Sequence, residues 1–292
     1  MAVVAHMGGS HLTREARERT VTRFVRLSCE AGFTHLLCVD DIRGRQLRTY
    51  ADFRHKAGIK IRTIQNELAH LRCILRSAGN GRVASAPELS NKQLGVSGGG
   101  RRGTNAALCA EEYERVLALA LRQGRPGMGA LVRLERWIGL RGNEAIHARS
   151  DTLTRWLREL EDTGRLYIIA GTKGGRTRFV TIHNHGDVKA VLVDALVVAR
   201  SQGGFLVAGK NGQPPKGLDS ARSIYHGWAH RAGIKPHAAR YAFAQDQVKA
   251  YCSAGYSERE AYLATSLDLG HGDSRGRWVK SVYAPQLALP AP

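Results

Sequence analysis

His237-Ala-Ala-Arg240, then Leu269-Gly270-His271, then Tyr283 is the stretch on which the 292-residue chain turns. Pro236 suits the start of a helix, because its missing N–H is not needed there. His237 and Arg240 are i and i+3, so both are expected to point the same way from the first turn. Ser257-Glu-Arg-Glu260 is a capping box and opens a helix through Tyr262, Leu263 and Leu267 to Gly270. His271 falls in the loop beyond. A last helix from about Ser274 carries Trp278, Val279, Val282 and Tyr283, apolar on one side, and Pro285 ends it. The stretch therefore reads as helices that deliver two histidines, an arginine and a tyrosine.

Working outward, Gly139-Leu140-Arg141-Gly-Asn-Glu144 adds a second arginine at the end of a helix with Leu131, Leu134, Trp137 and Ile138 on its apolar face. Arg165-Leu-Tyr-Ile-Ile-Ala170 and Thr177-Arg-Phe-Val-Thr-Ile182 are rich in β-branched and aromatic residues and flank a glycine-rich turn, a β-hairpin signal. It is the one clear sheet in the sequence and presents Lys173 near its tip, with Arg176 and Arg178 close by. His183 and His185 follow it and read as surface loop residues. Helices are expected over 187–200 and 218–232.

Residues 12–79 look all-helical. Thr13 can cap a first helix, and Asp40 or Asp41 a second through Leu47 and Tyr50. Ile64, Leu68, Leu71, Ile74 and Leu75 mark one face of a third, whose other face carries Arg62, Arg72 and Arg76. Pro87, Ser90, Gly95 and Ser97-Gly-Gly-Gly-Arg101-Arg102-Gly103 read as a polar, flexible, basic connector. The expected domains are a helical unit over 12–86, a linker over 87–107 and a larger unit over 108–292. The fold class is mainly α (α+β).

Lys and Arg number 44 against 25 Asp and Glu, a net charge of +19. That excess points to a polyanion, most often nucleic acid. No segment approaches twenty uninterrupted apolar residues, so none is expected to span a membrane. The first residues lack the layout of a signal peptide. The five cysteines are scattered and form no CxxC pair, which predicts neither a disulfide framework nor a zinc site. They are expected to be buried as small hydrophobes.

Two arginines, a lysine, two histidines and a tyrosine, in this order and at these spacings, resemble the tyrosine recombinase (phage integrase) family over nearly the whole chain. The resemblance implies a core-binding helical domain followed by a catalytic domain, the two clamped around duplex DNA. It assigns Arg141 and Arg240 to hold the scissile phosphate and Lys173 to act as general acid. It makes His237 a base near the nucleophile, His271 a phosphate contact and Tyr283 the nucleophile. Glu144 would orient the first arginine. Tyr251, Tyr256 and Tyr262 are rival tyrosines but precede His271.

The residue types fit metal-free breakage of a phosphodiester. Tyrosine forms a covalent ester, arginine grips two phosphate oxygens with a permanent charge, and histidines share protons near neutral pH. The resemblance implies strand exchange through a 3′-phosphotyrosyl link, with no cofactor, in a homo-oligomer (tetramer) on DNA. Such an enzyme would integrate or excise a mobile element in the cytoplasm at the nucleoid, with accessory DNA-bending proteins as candidate partners. A type IB topoisomerase-like relaxer and a catalytically silent DNA-binding factor are the alternatives. The interval from His271 to Tyr283 is long for the family and adds Arg275 and Arg277 as candidate DNA contacts, together with Arg62, Arg72, Arg76, Arg101 and Arg102. With only nine prolyl-rich residues after Tyr283, the long terminal helix of many relatives is not expected.

Overall fold

The computed structural model describes residues 7–9, 11–36, 38–100, 106–209, 212–285 and 287. The chain divides into two compact units, with the division between residues 101 and 102. Both are helical, as the sequence predicts, and the one sheet among the described residues is a two-stranded antiparallel hairpin.

The first unit contains α1 (His11–Glu30), α2 (Gly44–Lys56), α3 (Ile61–Ser77) and the short α4 (Gly81–Ala84). The predicted apolar face of α3 is buried in full: Ile64, Leu68, Leu71, Ile74 and Leu75 all face inward. Phe24 of α1 and Leu47 and Tyr50 of α2 complete the core. One carboxylate joins the three helices. Glu67 accepts from Arg54 Nε and Nη2 at 2.9 Å each, from Arg23 at 2.7 Å and from the Tyr50 hydroxyl at 3.0 Å. A buried charge needs this many partners to offset its lost hydration.

Three local expectations are corrected. Residues from 87 onward do not begin a loose linker. Leu89, Leu94 and Val96 are buried in the core of the first unit, held there by Arg72 on the Leu89 carbonyl and Gln65 on the Val96 carbonyl. Their apolar side chains outweigh the glycine and serine around them. Asp40 and Asp41 form a 3-10 turn instead of capping α2, whose N-cap is Arg43 with Gln46 folded back onto its N–H at 2.9 Å. The cysteines are free but not buried: Cys29, Cys38 and Cys109 are exposed, and Cys73 and Cys252 are partly so. Cys109 occupies the N-cap of the next helix, where its sulfur accepts the Glu112 N–H.

The second unit runs α5 (Ala110–Arg122), α6 (Pro126–Trp137), α7 (Gly142–His147), α8 (Ser150–Thr163), β1 (Arg165–Ile168), β2 (Arg178–Thr181), α9 (His185–Ser201), α10 (Leu218–Arg231), α11 (Pro236–Ser253), α12 (Glu258–Asp268) and α13 (Gly276–Val282). Buried residues of α6 (Leu131, Val132, Leu134) and of α11 (Ala239, Phe243, Ala244, Val248) lie at the centre of its core. The capping box of α12 forms as predicted, with Glu260 accepting the Ser257 N–H at 2.9 Å. The strands are shorter than expected and pair Arg165 with Thr181 through Ile168 with Arg178. Leu166, Ile168 and Val180 face the core, while Tyr167 and Phe179 stack on the outer face with centroids 4.6 Å apart.

Candidate active site

Gly139 fixes how the chain leaves α6. Its φ is +67°, and a Cβ there would lie 2.2 Å from the Phe243 ring, so only glycine fits. Arg141 then becomes the N-cap of α7, and Glu144, at the third helical position, accepts the Arg141 N–H at 2.7 Å. The same carboxylate takes the Arg141 guanidinium at 2.6 Å. The motif Gly-Leu-Arg-Gly-Asn-Glu is thus a helix start that folds an arginine onto its own acid.

Arg240, in the first turns of α11, is fully buried. It donates to two main-chain oxygens, those of Gly139 and Leu269. The Leu269 carbonyl also accepts from Arg141 Nη2 at 3.0 Å. Two arginines far apart in sequence therefore converge on one peptide oxygen, two residues before His271. Burial, with the like charges of Arg141 and Arg178 beside it, lowers the Arg240 pKa to about 10, which still leaves it charged at neutral pH.

Glu144 is deeply buried, which by itself would raise its pKa. The hydrogen bonds and charge of Arg178 and the charges of Arg240 and Arg141 outweigh burial and bring it to about 2. One carboxylate among three guanidinium groups leaves a net positive site, suited to an anion.

Tyr283 caps α13 and is buried, its ring 4.2 Å from Tyr241 and 5.3 Å from Trp278 by centroid. Gln245 of α11 holds its carbonyl at 3.0 Å. The hydroxyl lies 3.2 Å from His271 Nε2. Burial first, then Arg240, Arg141, Arg178 and His237, lower the His271 pKa to about 3, so its imidazole is neutral at ordinary pH. His237 is exposed on the first turn of α11, its ring centroid 6.2 Å from that of Tyr283. His237 and Arg240 therefore share a helix turn but not an environment: one lies at the rim and the other inside. Lys173 is exposed on a 3-10 turn (Lys173–Gly175) between the strands.

Residues 95–246, just over half of the chain, match the family model described as Integrase, and residues 1–84 match the model described as Phage integrase, N-terminal.

The chain is a tyrosine recombinase of the phage integrase family.

No curated protein sequence matches this recombinase. Among solved structures, it is similar to the Tn1549 transposon integrase in complex with transposon right end DNA, with a TM-score of 0.66 and 14% identity, covering 97% of this chain and 92% of that one. A lambda integrase dimer bound to a COC′ core site gives a TM-score of 0.60 and 14% identity over 99% of this chain and 95% of that one. A lambda integrase tetramer bound to a Holliday junction gives 0.59 and 14% over 97% and 75%. At this identity the likeness is one of fold.

The recombinase is a site-specific DNA strand-breaking and rejoining enzyme by family, and neither the relaxer nor the silent-factor reading is favoured. Among the described residues, no helix is long and apolar enough to cross a membrane. Of the candidate DNA contacts, Arg62, Arg76, Arg275 and Arg277 are exposed. Arg72 is half-buried, donating to Leu89 and Asn91 of its own unit. Arg101 and Arg102 lie outside the described residues.

Sequence reading assigned no role to Arg178 beyond its nearness to Lys173. It is buried, with Nη1 and Nη2 on the two oxygens of Glu144 and Nε on the Asp268 carbonyl at 2.7 Å. The signal was alternation: in Arg178-Phe-Val180 the arginine shares the inward face with valine. Asp268 was also missed. Its side chain accepts from the Thr181 N–H, Gln247 and Tyr251, an acid at a helix C-terminus where the dipole disfavours one.

Proposed function

We propose that this recombinase exchanges strands at specific sites in duplex DNA with Tyr283 as nucleophile. The Tyr283 oxygen bonds to the scissile phosphorus as the bond from phosphorus to the 5′ oxygen breaks. The electron pair passes to that oxygen, which takes a proton from the Lys173 ammonium. The phenol proton passes to His237, whose ring lies 6.2 Å from that of Tyr283 by centroid. Arg141 and Arg240 hold the non-bridging oxygens, where fixed donors lower the barrier most. A 5′ hydroxyl from a second strand then attacks the phosphorus and gives its proton to the Lys173 amine, while the bond from phosphorus to the Tyr283 oxygen breaks and that oxygen takes back the proton from His237.

The observation that carries this reading is the convergence of Arg141 and Arg240 on the Leu269 carbonyl beside a His271–Tyr283 hydrogen bond. Mobile-element integration or excision on the chromosome, by a homo-oligomer assembled on DNA, is the proposed setting. It is supported by the likeness to the Tn1549 and lambda integrases. Accessory DNA-bending proteins would belong to the same setting.

The test is a nicked duplex carrying the target repeat, from which the cleaved fragment diffuses away. The wild-type protein should give an SDS-stable protein–DNA adduct. Tyr283→Phe should give none while binding DNA as tightly as wild type. An adduct with the Phe variant would move the attack to another tyrosine.

A further inference from the structure

We propose that Asn143 positions Lys173. The inference rests on the reading of Lys173 as the acid. Asn143 is the second residue of α7, two after Arg141, and its side chain bridges two other elements. Its Oδ1 accepts from Arg222 Nε of α10 at 2.7 Å, and its Nδ2 donates to the Gly171 carbonyl at 2.8 Å. A guanidinium can only donate, so Arg222 fixes which end of the amide is oxygen and turns the nitrogen toward Gly171. Arg222 is itself braced by Asp219 at 2.6 Å.

The backbone repeats the tie. A Cβ on Gly171 would lie 2.6 Å from the Asn143 carbonyl and 2.8 Å from His147 Nδ1, which also bonds that carbonyl at 2.6 Å. Gly171, at φ +72°, is thus the root of the turn, in direct contact with α7. Lys173 follows two residues later. Arg141 and the root of the Lys173 turn are consequently carried by the same short helix. The group that stabilises phosphate charge and the group that delivers the proton share one support. Gly174 and Gly175 leave the tip free to adjust, while Asn143 decides where the turn starts.

Asn143→Asp keeps the size and the Arg222 pair but turns an acceptor toward the Gly171 carbonyl. Asn143→Ala removes both bonds. On an ordinary phosphodiester each should slow single-turnover cleavage by roughly ten- to a hundredfold, the scale of a small misplacement of a reacting group. A substrate with sulfur in place of the bridging 5′ oxygen needs no proton and should be cut at near wild-type rate. Amide exchange over residues 170–176 should quicken, with α6 and α11 unchanged. Lys173→Ala is run beside them. If it is slow on both substrates, the acid assignment fails, and the Asn143 tie is then decided by the exchange pattern alone: quickening confined to 170–176 upholds it. Equal slowing of the Asn143 variants on both substrates, with Lys173→Ala rescued by sulfur, would overturn the proposal. So would unchanged exchange over 170–176.

Discussion

Arg178 holds both carboxylate oxygens of Glu144, at 2.6 and 2.7 Å, the same two oxygens that accept from the Arg141 guanidinium and main-chain N–H. A strand thereby fixes the acid that orients an arginine on a helix. Removing Arg178 leaves a buried carboxylate short of a partner, a change that typically costs about 3–5 kcal/mol. Arg178→Ala should lose stability on that scale in urea unfolding, and Arg178→Lys should recover part of it, having the charge without the fork. A loss below about 1 kcal/mol, the range of a surface pair, would show that the clasp is redundant with Arg141.

Acid should weaken the fold through His271. Its folded pKa of about 3 lies below the ordinary 6.5, so between those values the unfolded chain binds a proton that the native one refuses. The contribution is whole above about pH 6.5 and is lost as pH falls toward 3. Glu144, at about 2 against 4.5, adds the same sign below pH 4.5. Glu135 and Asp268 are shifted upward by burial and act oppositely. The stability difference between wild type and His271→Asn isolates the histidine. It should change steadily between pH 6.5 and 4.5, and a pH-independent difference would refute the assignment.

Arg240→Lys should cut the cleavage rate by roughly two to three powers of ten, the loss usual for one preorganised donor at a developing oxyanion. An ammonium cannot span the Gly139 and Leu269 carbonyls and still face the phosphate with a planar fork. Single-turnover cleavage at saturating protein separates this from weaker binding. Near-normal cleavage would remove Arg240 from the chemistry.

Binding to DNA should fall steeply with salt, since each neutralised phosphate releases counterions. Arg62→Ala and Arg76→Ala, exposed on α3, should each reduce the slope of log affinity against log salt by about 1. Arg72→Ala should instead lower the melting temperature, because that guanidinium is engaged with Leu89 and Asn91. An unchanged slope for both Arg62→Ala and Arg76→Ala would place the DNA footprint of the first unit elsewhere.

What could be read in the sequence was what local chemistry dictates. The apolar face of α3, the capping box of α12 and the glycine-flanked hairpin each depend on residues within a few positions of one another. That Arg141, Arg240, His271 and Tyr283 would be brought together was legible from their types and order, and the structure clusters them. Leu89, Leu94 and Val96 were hidden because three apolar residues among glycines and serines show no period. Arg178 was hidden for a different reason: its partner Glu144 lies on another element, and a charged residue in a short strand looks like a solvated one until the acid opposite is known. The environment of His271 was equally unreadable, since it comes from burial and from arginines scattered from 141 to 240.

Arg240 is steadied by the peptide oxygens of Gly139 and Leu269, and Arg141 shares the second of them. No exchange of side chain can delete a peptide oxygen. Drift at position 269 can therefore alter shape while leaving the acceptor in place, whereas one residue inserted or removed between α12 and His271 would shift it out of register for both arginines together. Length, more than lettering, is what descendants of this loop must inherit.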